Sequence, residues 1–250
     1  MRCCVTLLVL LAAALPVAAQ DNPNPIRRPA PDFLLEKPRG SLTLRGSWLF
    51  SRSGSDWYDF VTDQLTLRQK DFNAPGFGLD VNVPLTSRLD VQVALDVSRS
   101  QKLSEYRDFV DNNRLPIEQT TTLREINLGV NARYNFTERS SPLSRLAWIP
   151  RKVVPYAGGG AGVMNYNLVQ VGDFVDFVDF SVFGENFESH GWAPSAQAFG
   201  GVDVHVFKRM YVTVDGRYLW ASADLGRDWI DFEPIDLAGF RLSGGVSFSF

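Results

Sequence analysis

The chain has 250 residues, with 25 basic against 28 acidic side chains and a formal net charge of −3. So slight an acidic balance offers nothing to a nucleic-acid backbone, and nucleic acid is not expected as a partner. After residue 19 no run approaches the roughly 18 consecutive apolar residues of a membrane-spanning helix, and the length allows one domain or two.

Residues 1–19 combine the basic Arg2, an apolar run from Val5 to Leu15 and the small residues Ala18 and Ala19. Charge, a short apolar core and a small-x-small ending make the pattern of a secretory signal peptide, with cleavage expected near Ala19. Cys3 and Cys4, the only cysteines, would leave with it, so the mature chain is expected to carry no disulfide, thiol nucleophile or cysteine metal site. Residues 20–40 contain Pro23, Pro25, Pro29, Pro31 and Pro38 around Arg27 and Arg28. Such a stretch is extended and proline-stiffened, without a core-forming pattern.

From residue 41 the dominant period is two, the signature of strands with one apolar face. Leu42, Leu44, Trp48 and Phe50 alternate with Ser41, Thr43, Arg45 and Ser47, and Phe77, Leu79, Val81 and Val83 with Gly78, Asp80 and Asn82. Leu89–Val97 and Ile126–Phe136 repeat the pattern, with Asp90, Gln92, Asp96, Glu125, Asn127, Asn131 and Arg133 between the apolar residues. A fifth run, Val154–Leu168, is blurred by Gly158, Gly159, Gly160 and Gly162. Three more runs, at 195–206, 212–220 and 240–250, set Asp203, Asp215, Arg217 and Arg241 against valines and aromatics. Eight runs of about 9–11 residues fit tilted strands that cross a bilayer.

Short connections at Pro84–Ser87 and Phe207–Arg209, and a longer one at Thr137–Arg151, alternate with long polar ones near 51–75, 100–119, 169–191 and 223–235. Short turns on one side and long loops on the other are the outer-membrane arrangement, which places both termini in the periplasm. Aromatics gather at the strand ends: Trp48, Phe50, Phe77, Tyr166, Trp192, Trp220 and Phe240 at the loop end, and Tyr134, Phe136, Trp148, Tyr156, Phe248 and Phe250 at the turn end. Two such bands match the girdles of membrane barrels. The expected fold is therefore all-β, an antiparallel up-and-down transmembrane β-barrel of about eight strands over 41–250, with long extracellular loops.

In that arrangement Arg45, Asp80, Asp90, Asp96, Glu125, Arg133, Asp203, Asp215, Arg217 and Arg241 face the lumen. An eight-stranded barrel has an interior that side chains can fill, and buried ions are tolerated only when paired. Pairs Arg45–Asp80 and Arg133–Asp90 are expected, making a salt-bridged plug in preference to a polar conduit. A lateral conduit would need a break in the wall, for which the glycine-rich fifth strand is the candidate. The glycines lack the Lys-Ser/Thr that follows a phosphate-binding loop, and curvature or close packing explains them better.

Each long loop interleaves acidic and aromatic residues: Asp56–Phe60, Tyr106–Asp111, Asp173–Phe180 and Asp228–Phe232. Trp57, Phe109, Phe174, Phe177, Phe180, Trp229 and Phe232 are the candidate recognition patch for an extracellular ligand or surface; the competing reading is a cap in which the four segments pack on one another. The aspartates have no EF-hand spacing, so no metal is expected. The two histidines, His190 and His205, lack a nucleophile–base constellation, because Ser189 and His190 are strand neighbours on opposite faces. No catalytic residue and no cofactor is expected.

The last strand ends Ser243, Gly245, Phe248, Phe250 in the order polar-x-Gly-x-x-aromatic-x-aromatic. This resembles the C-terminal assembly signal of bacterial outer-membrane barrels, and residues 40–250 resemble the small barrels of the OmpA and OmpW type. The resemblance implies a non-enzymatic envelope protein surrounded by outer-membrane lipid and partnered in biogenesis by the barrel-assembly machinery. A structural or surface-recognition role is the first functional expectation. A conduit for small, including hydrophobic, molecules is the alternative, and a lipid-modifying enzyme is a less favoured third.

Overall fold

The computed structural model describes residues 34, 38–111, 113–144, 147–229 and 231–250. The expected signal peptide, and the proline-rich segment apart from Leu34 and residues 38–40, lie outside the described residues.

Eight antiparallel strands form the body: β1 (Ser41–Ser51), β2 (Ala74–Pro84), β3 (Leu89–Val110), β4 (Pro116–Asn135), β5 (Val153–Val175), β6 (Val182–Phe207), β7 (Met210–Ala223) and β8 (Gly239–Ser249). Each pairs with its sequence neighbours, and β8 closes on β1 from Ser41 opposite Ser249 to Ser51 opposite Gly239. A closed ring leaves no free edge within the bilayer, where an unpaired backbone group would cost several kcal/mol, on the order of a lost hydrogen bond in hydrocarbon. The fifth strand is paired along its length, Asn135–Gln119 of β4 against Tyr156–Gly172 on one side and β6 on the other. The glycines therefore mark no break in the wall. A Cβ on Gly160 would collide with the Val130 carbonyl oxygen of β4, so these residues permit close approach of neighbouring backbone.

Polarity is inverted relative to a soluble barrel. Leu42, Leu44, Val93, Leu128, Val130, Val212, Val214, Leu242 and Val246 point outward as a continuous apolar belt. Trp48, Phe50, Phe77, Trp192, Trp220 and Phe240 rim the belt at the loop end, and Tyr134, Phe136, Phe248 and Phe250 at the turn end. Two residues expected in these rims point inward instead: Tyr156 and Tyr166 are buried in the interior. Trp148, half-buried, lies in a short ladder (Ser140–Pro142 with Trp148–Pro150) below the turn end, where it also bridges Leu34.

The connections expected at 100–119 and 169–191 are mostly strand. β3 and β4 run on to a turn at residues 111–115, and β5 and β6 to one at 176–181. The four long strands thus carry the sheet well beyond the apolar belt. The first long connection instead forms helix α1 (Asp56–Gln64) and a 3-10 turn, Gln69–Phe72. Asp56 and Asp59 sit in the helix's first turn, where carboxylates complement the dipole. Trp57, Tyr58 and Val61 form its buried stripe and seat it over the mouth of the barrel.

Candidate functional site: a plugged lumen under an aromatic cap

The lumen changes character along its length. At the loop end Leu123, Met164, Tyr166, Leu168, Ala193 and Leu219 face inward and join the helix in one apolar core. Below this core most inward positions are ions, amides and hydroxyls, with Ala94, Val154 and Phe199 among them.

Arg45 is the hub of the ionic layer. Its Nε is 2.7 Å from Asp80, its Nη2 3.0 Å from Asp96, and its Nη1 3.7 Å from Asp215. Arg217 Nη1 lies 3.1 Å from the other Asp96 oxygen, and the guanidinium stacks over Phe199 at 4.7 Å. Arg241 Nη2 donates to Glu125 at 2.9 Å and to Ser98 at 3.1 Å. A second group lies nearer the turn end. There Arg133 reaches Asp203 at 2.5 Å, not Asp90, and its guanidinium stacks 3.5 Å over the Tyr156 ring. Asp90 is 3.3 Å from Arg139 and accepts from Asn135 at 2.8 Å.

The expected Arg133–Asp90 contact is thus replaced because Arg139 enters from the β4–β5 turn. It donates to Ser41 at 3.0 Å and lies 3.5 Å from Asp203. Sequence reasoning missed Arg139, but left a trace of it: four expected lumen arginines faced six acids. Neutral amides complete the fill, Asn131 donating to Gln92 at 3.1 Å and Gln197 to Asn131 at 2.8 Å. All ten lumen ions expected from sequence are buried.

The four residues of the terminal motif divide by face. Ser243 and Gly245 point inward, and Phe248 and Phe250 outward. Ser243 Oγ donates to Asp215 and accepts from Arg45 Nη1 at 3.1 Å. Gly245 has no room for a side chain, since a Cβ would meet the Leu44 carbonyl oxygen of β1. The Phe250 carbonyl accepts from Arg39 N at 2.7 Å, and its N–H donates to the Gly40 carbonyl at 3.0 Å.

The seven aromatics proposed as a patch also separate. Trp57, Phe174 and Trp229 are buried, Phe109 and Phe232 half-buried, and Phe177 and Phe180 exposed. Edge-to-face contacts run Phe72–Trp57–Trp229–Phe187–Phe174, with centroids 4.6–5.9 Å apart, joining three connections. Phe109 ties in the β3–β4 tip by packing on Phe177 and Phe180. The interleaved acids serve the backbone. Asp56 accepts from Glu233 N, Asp111 from Asn113 N and Leu115 N, Asp176 from Val178 N, and Asp228 from Glu188 N. Aromatics that pack and carboxylates that cap turns explain the shared composition of the four segments. A cleft of about 200 Å³ opens among Phe60, Tyr106, Phe174, Phe177, Phe187 and Trp229.

Ser189 and His190 point to opposite faces. Ser189 is buried against Tyr166 at 2.9 Å, and His190 is exposed. His205 Nε2 lies 2.8 Å from the Lys208 carbonyl oxygen in the β6–β7 turn.

A closed ring of eight strands, ions within and an apolar belt without, decides the architecture. The fold is that of a small eight-stranded outer-membrane β-barrel. No protein-family model matches the chain, and no curated protein does. Among solved structures, the chain is similar to Neisserial surface protein A at 12% identity over 84% of this chain and 97% of that one, with TM-score 0.48. It is also similar to the outer membrane protein OprG from Pseudomonas aeruginosa at 11% identity (87% and 99% covered, TM-score 0.45). A third is Ail, the attachment invasion locus protein of Yersinia pestis, at 14% identity (85% and 99% covered, TM-score 0.41).

Proposed function

We propose that the chain is a non-catalytic bacterial outer-membrane protein that recognises a surface or extracellular ligand through the projecting tips of β3–β6. In this reading the signal peptide is removed near Ala19 and both termini lie in the periplasm. The barrel-assembly machinery reads the terminal motif through Phe248 and Phe250. The lumen is a plug, and the working surface lies outside.

The observation that carries the reading is the β5–β6 tip, where Phe177, Val178 and Phe180 are 48%, 90% and 64% exposed. Phe180 also holds φ at +60°, a left-handed conformation that costs a non-glycine residue roughly 1–2 kcal/mol. That conformation belongs to the turn closed by Phe180 N–H on the Asp176 carbonyl at 2.8 Å, and the exposed apolar side chains that the turn presents support recognition by contact. Asp173, Asp176 and Asp179 surround the aromatics, so the partner surface this chemistry favours is apolar with a basic rim.

The test compares cells displaying the barrel with cells displaying Phe177→Ser/Val178→Ser/Phe180→Ser, at matched surface levels, on protein-coated and bare apolar surfaces. Recognition at the tip predicts several-fold weaker adhesion of the triple variant. Equal adhesion would remove the tip from the reading.

A further inference from the structure

Strand register sets one row of outward side chains in line across four strands. Arg99 of β3 lies opposite Arg124 of β4, Arg124 opposite Asn167 of β5, and Asn167 opposite His190 of β6. The row directly beneath runs Val97, Ile126, Asn165 and Trp192. Trp192, 70% exposed, belongs to the loop-end rim of the apolar belt. The basic row therefore stands where hydrocarbon gives way to headgroups.

Two arginines opposed across a strand pair repel each other unless an anion lies between them. Both are exposed, and among the described residues neither has a carboxylate at ion-pair distance. Among the described residues the Arg99 side chain donates to the neutral Gln101 amide, at 3.2 Å. Glu188, one row higher on β6, accepts from the Asn167 amide at 2.9 Å and lies 3.8 Å from His190, so those two side chains already face a carboxylate. Glu105 and Glu118 are opposed three rows above the arginines.

We infer that Arg99 and Arg124 bind the phosphate of an outer-leaflet lipid headgroup. The lipid's acyl chains would lie along Val97 and Ile126. Guanidinium forks suit phosphate oxygens, and an anion shared by both arginines removes their repulsion. Trp192 supplies the amphipathic ring such an interface favours. The inference rests on the barrel spanning a membrane, and not on what the tips recognise.

The test uses the full mature chain and Arg99→Gln/Arg124→Gln, which alters only exposed positions. Flotation with phosphatidylcholine vesicles first establishes insertion; a chain that does not float would defeat the membrane-spanning reading itself. Micelles are then doped with lipid A carrying both phosphates, with dephosphorylated lipid A, or with inorganic phosphate. The wild type is expected to retain phosphorylated lipid A about tenfold or more over the double variant, and both forms to retain the dephosphorylated lipid equally. In phosphate-free micelles the double variant should unfold at the higher temperature, because the like-charge pair is gone, and phosphorylated lipid A should reverse that order. Equal retention of phosphorylated lipid by the two forms would overturn the site. Equal retention of the two lipids by the wild type would do the same, and stabilisation by inorganic phosphate alone would overturn a lipid as its occupant.

Discussion

Arg45 touches three carboxylates inside a lumen that water does not flush, and those contacts cannot be removed one at a time. Arg45→Ala would leave Asp80, Asp96 and Asp215 facing Arg217 alone. Breaking a buried pair from one side costs about 3–5 kcal/mol, so urea unfolding of the refolded barrel should show a loss of that order. A loss under about 1 kcal/mol, the value of an exposed pair, would place these ions in water. In the cap, burial pushes the Tyr58 hydroxyl well above its ordinary value of 10.0, with the Glu125 and Asp236 carboxylates adding to the effect. The folded cap holds the neutral phenol, so its contribution is complete below pH 10.0 and declines as pH rises past that value. The expected slope is about 1.4 kcal/mol per pH unit above the ordinary value. Protease protection of residues 51–75 measured from pH 8 to 12 should fall in the wild type and fall less in Tyr58→Phe.

At the scale of elements, strand β5 shows where sequence patterns speak and where they stop. Period two was legible in the other seven strands because lipid and ions demand opposite chemistry on the two faces. On β5 the inward side carries Gly158, Gly160 and Gly162, then Met164, Tyr166 and Leu168, so neither face is marked by charge. The projecting parts of β3–β6 were hidden for a related reason. Above the membrane both faces can be polar, and Gln101–Glu105 or Asn186–His190 reads as loop. Helix α1 was hidden by its length, since nine residues with three buried side chains give a weak periodic signal. Its role is nevertheless separable from the barrel. Trp57 is fully buried against Tyr58, Phe72 and Trp229, and truncating such an aromatic costs about 3–5 kcal/mol. Trp57→Ala should expose the 51–75 segment to protease while the barrel keeps its folded, heat-modifiable mobility on gels. Loss of the barrel together with the cap would mean the two fold as one unit. Gly160→Val makes the opposite case: collision with the β4 backbone should lower the yield of folded barrel itself.

The whole molecule is obstructed in series. Aromatics from three connections fill the mouth, a layer of arginines and carboxylates fills the middle, and the β4–β5 turn inserts Arg139 at the far end. The membrane architecture was legible in alternation and in the aromatic rims, and the identity of the lumen ions was legible because charge has no place on a lipid face. Their pairing was not, since it depends on Arg139, a turn residue whose entry into the lumen no strand pattern encodes. The aromatic cap was legible as four repeats of one composition. Which of its side chains stay exposed was settled only by the packing of Trp57, Phe174 and Trp229 away from water, leaving Phe177 and Phe180 at the tip. The central claim is that nothing crosses this lumen, and single-channel recording of the refolded mature protein in planar bilayers tests it most directly. The account predicts no discrete conductance in the wild type and leak events in Arg45→Ala. Stable, discrete wild-type openings would contradict it.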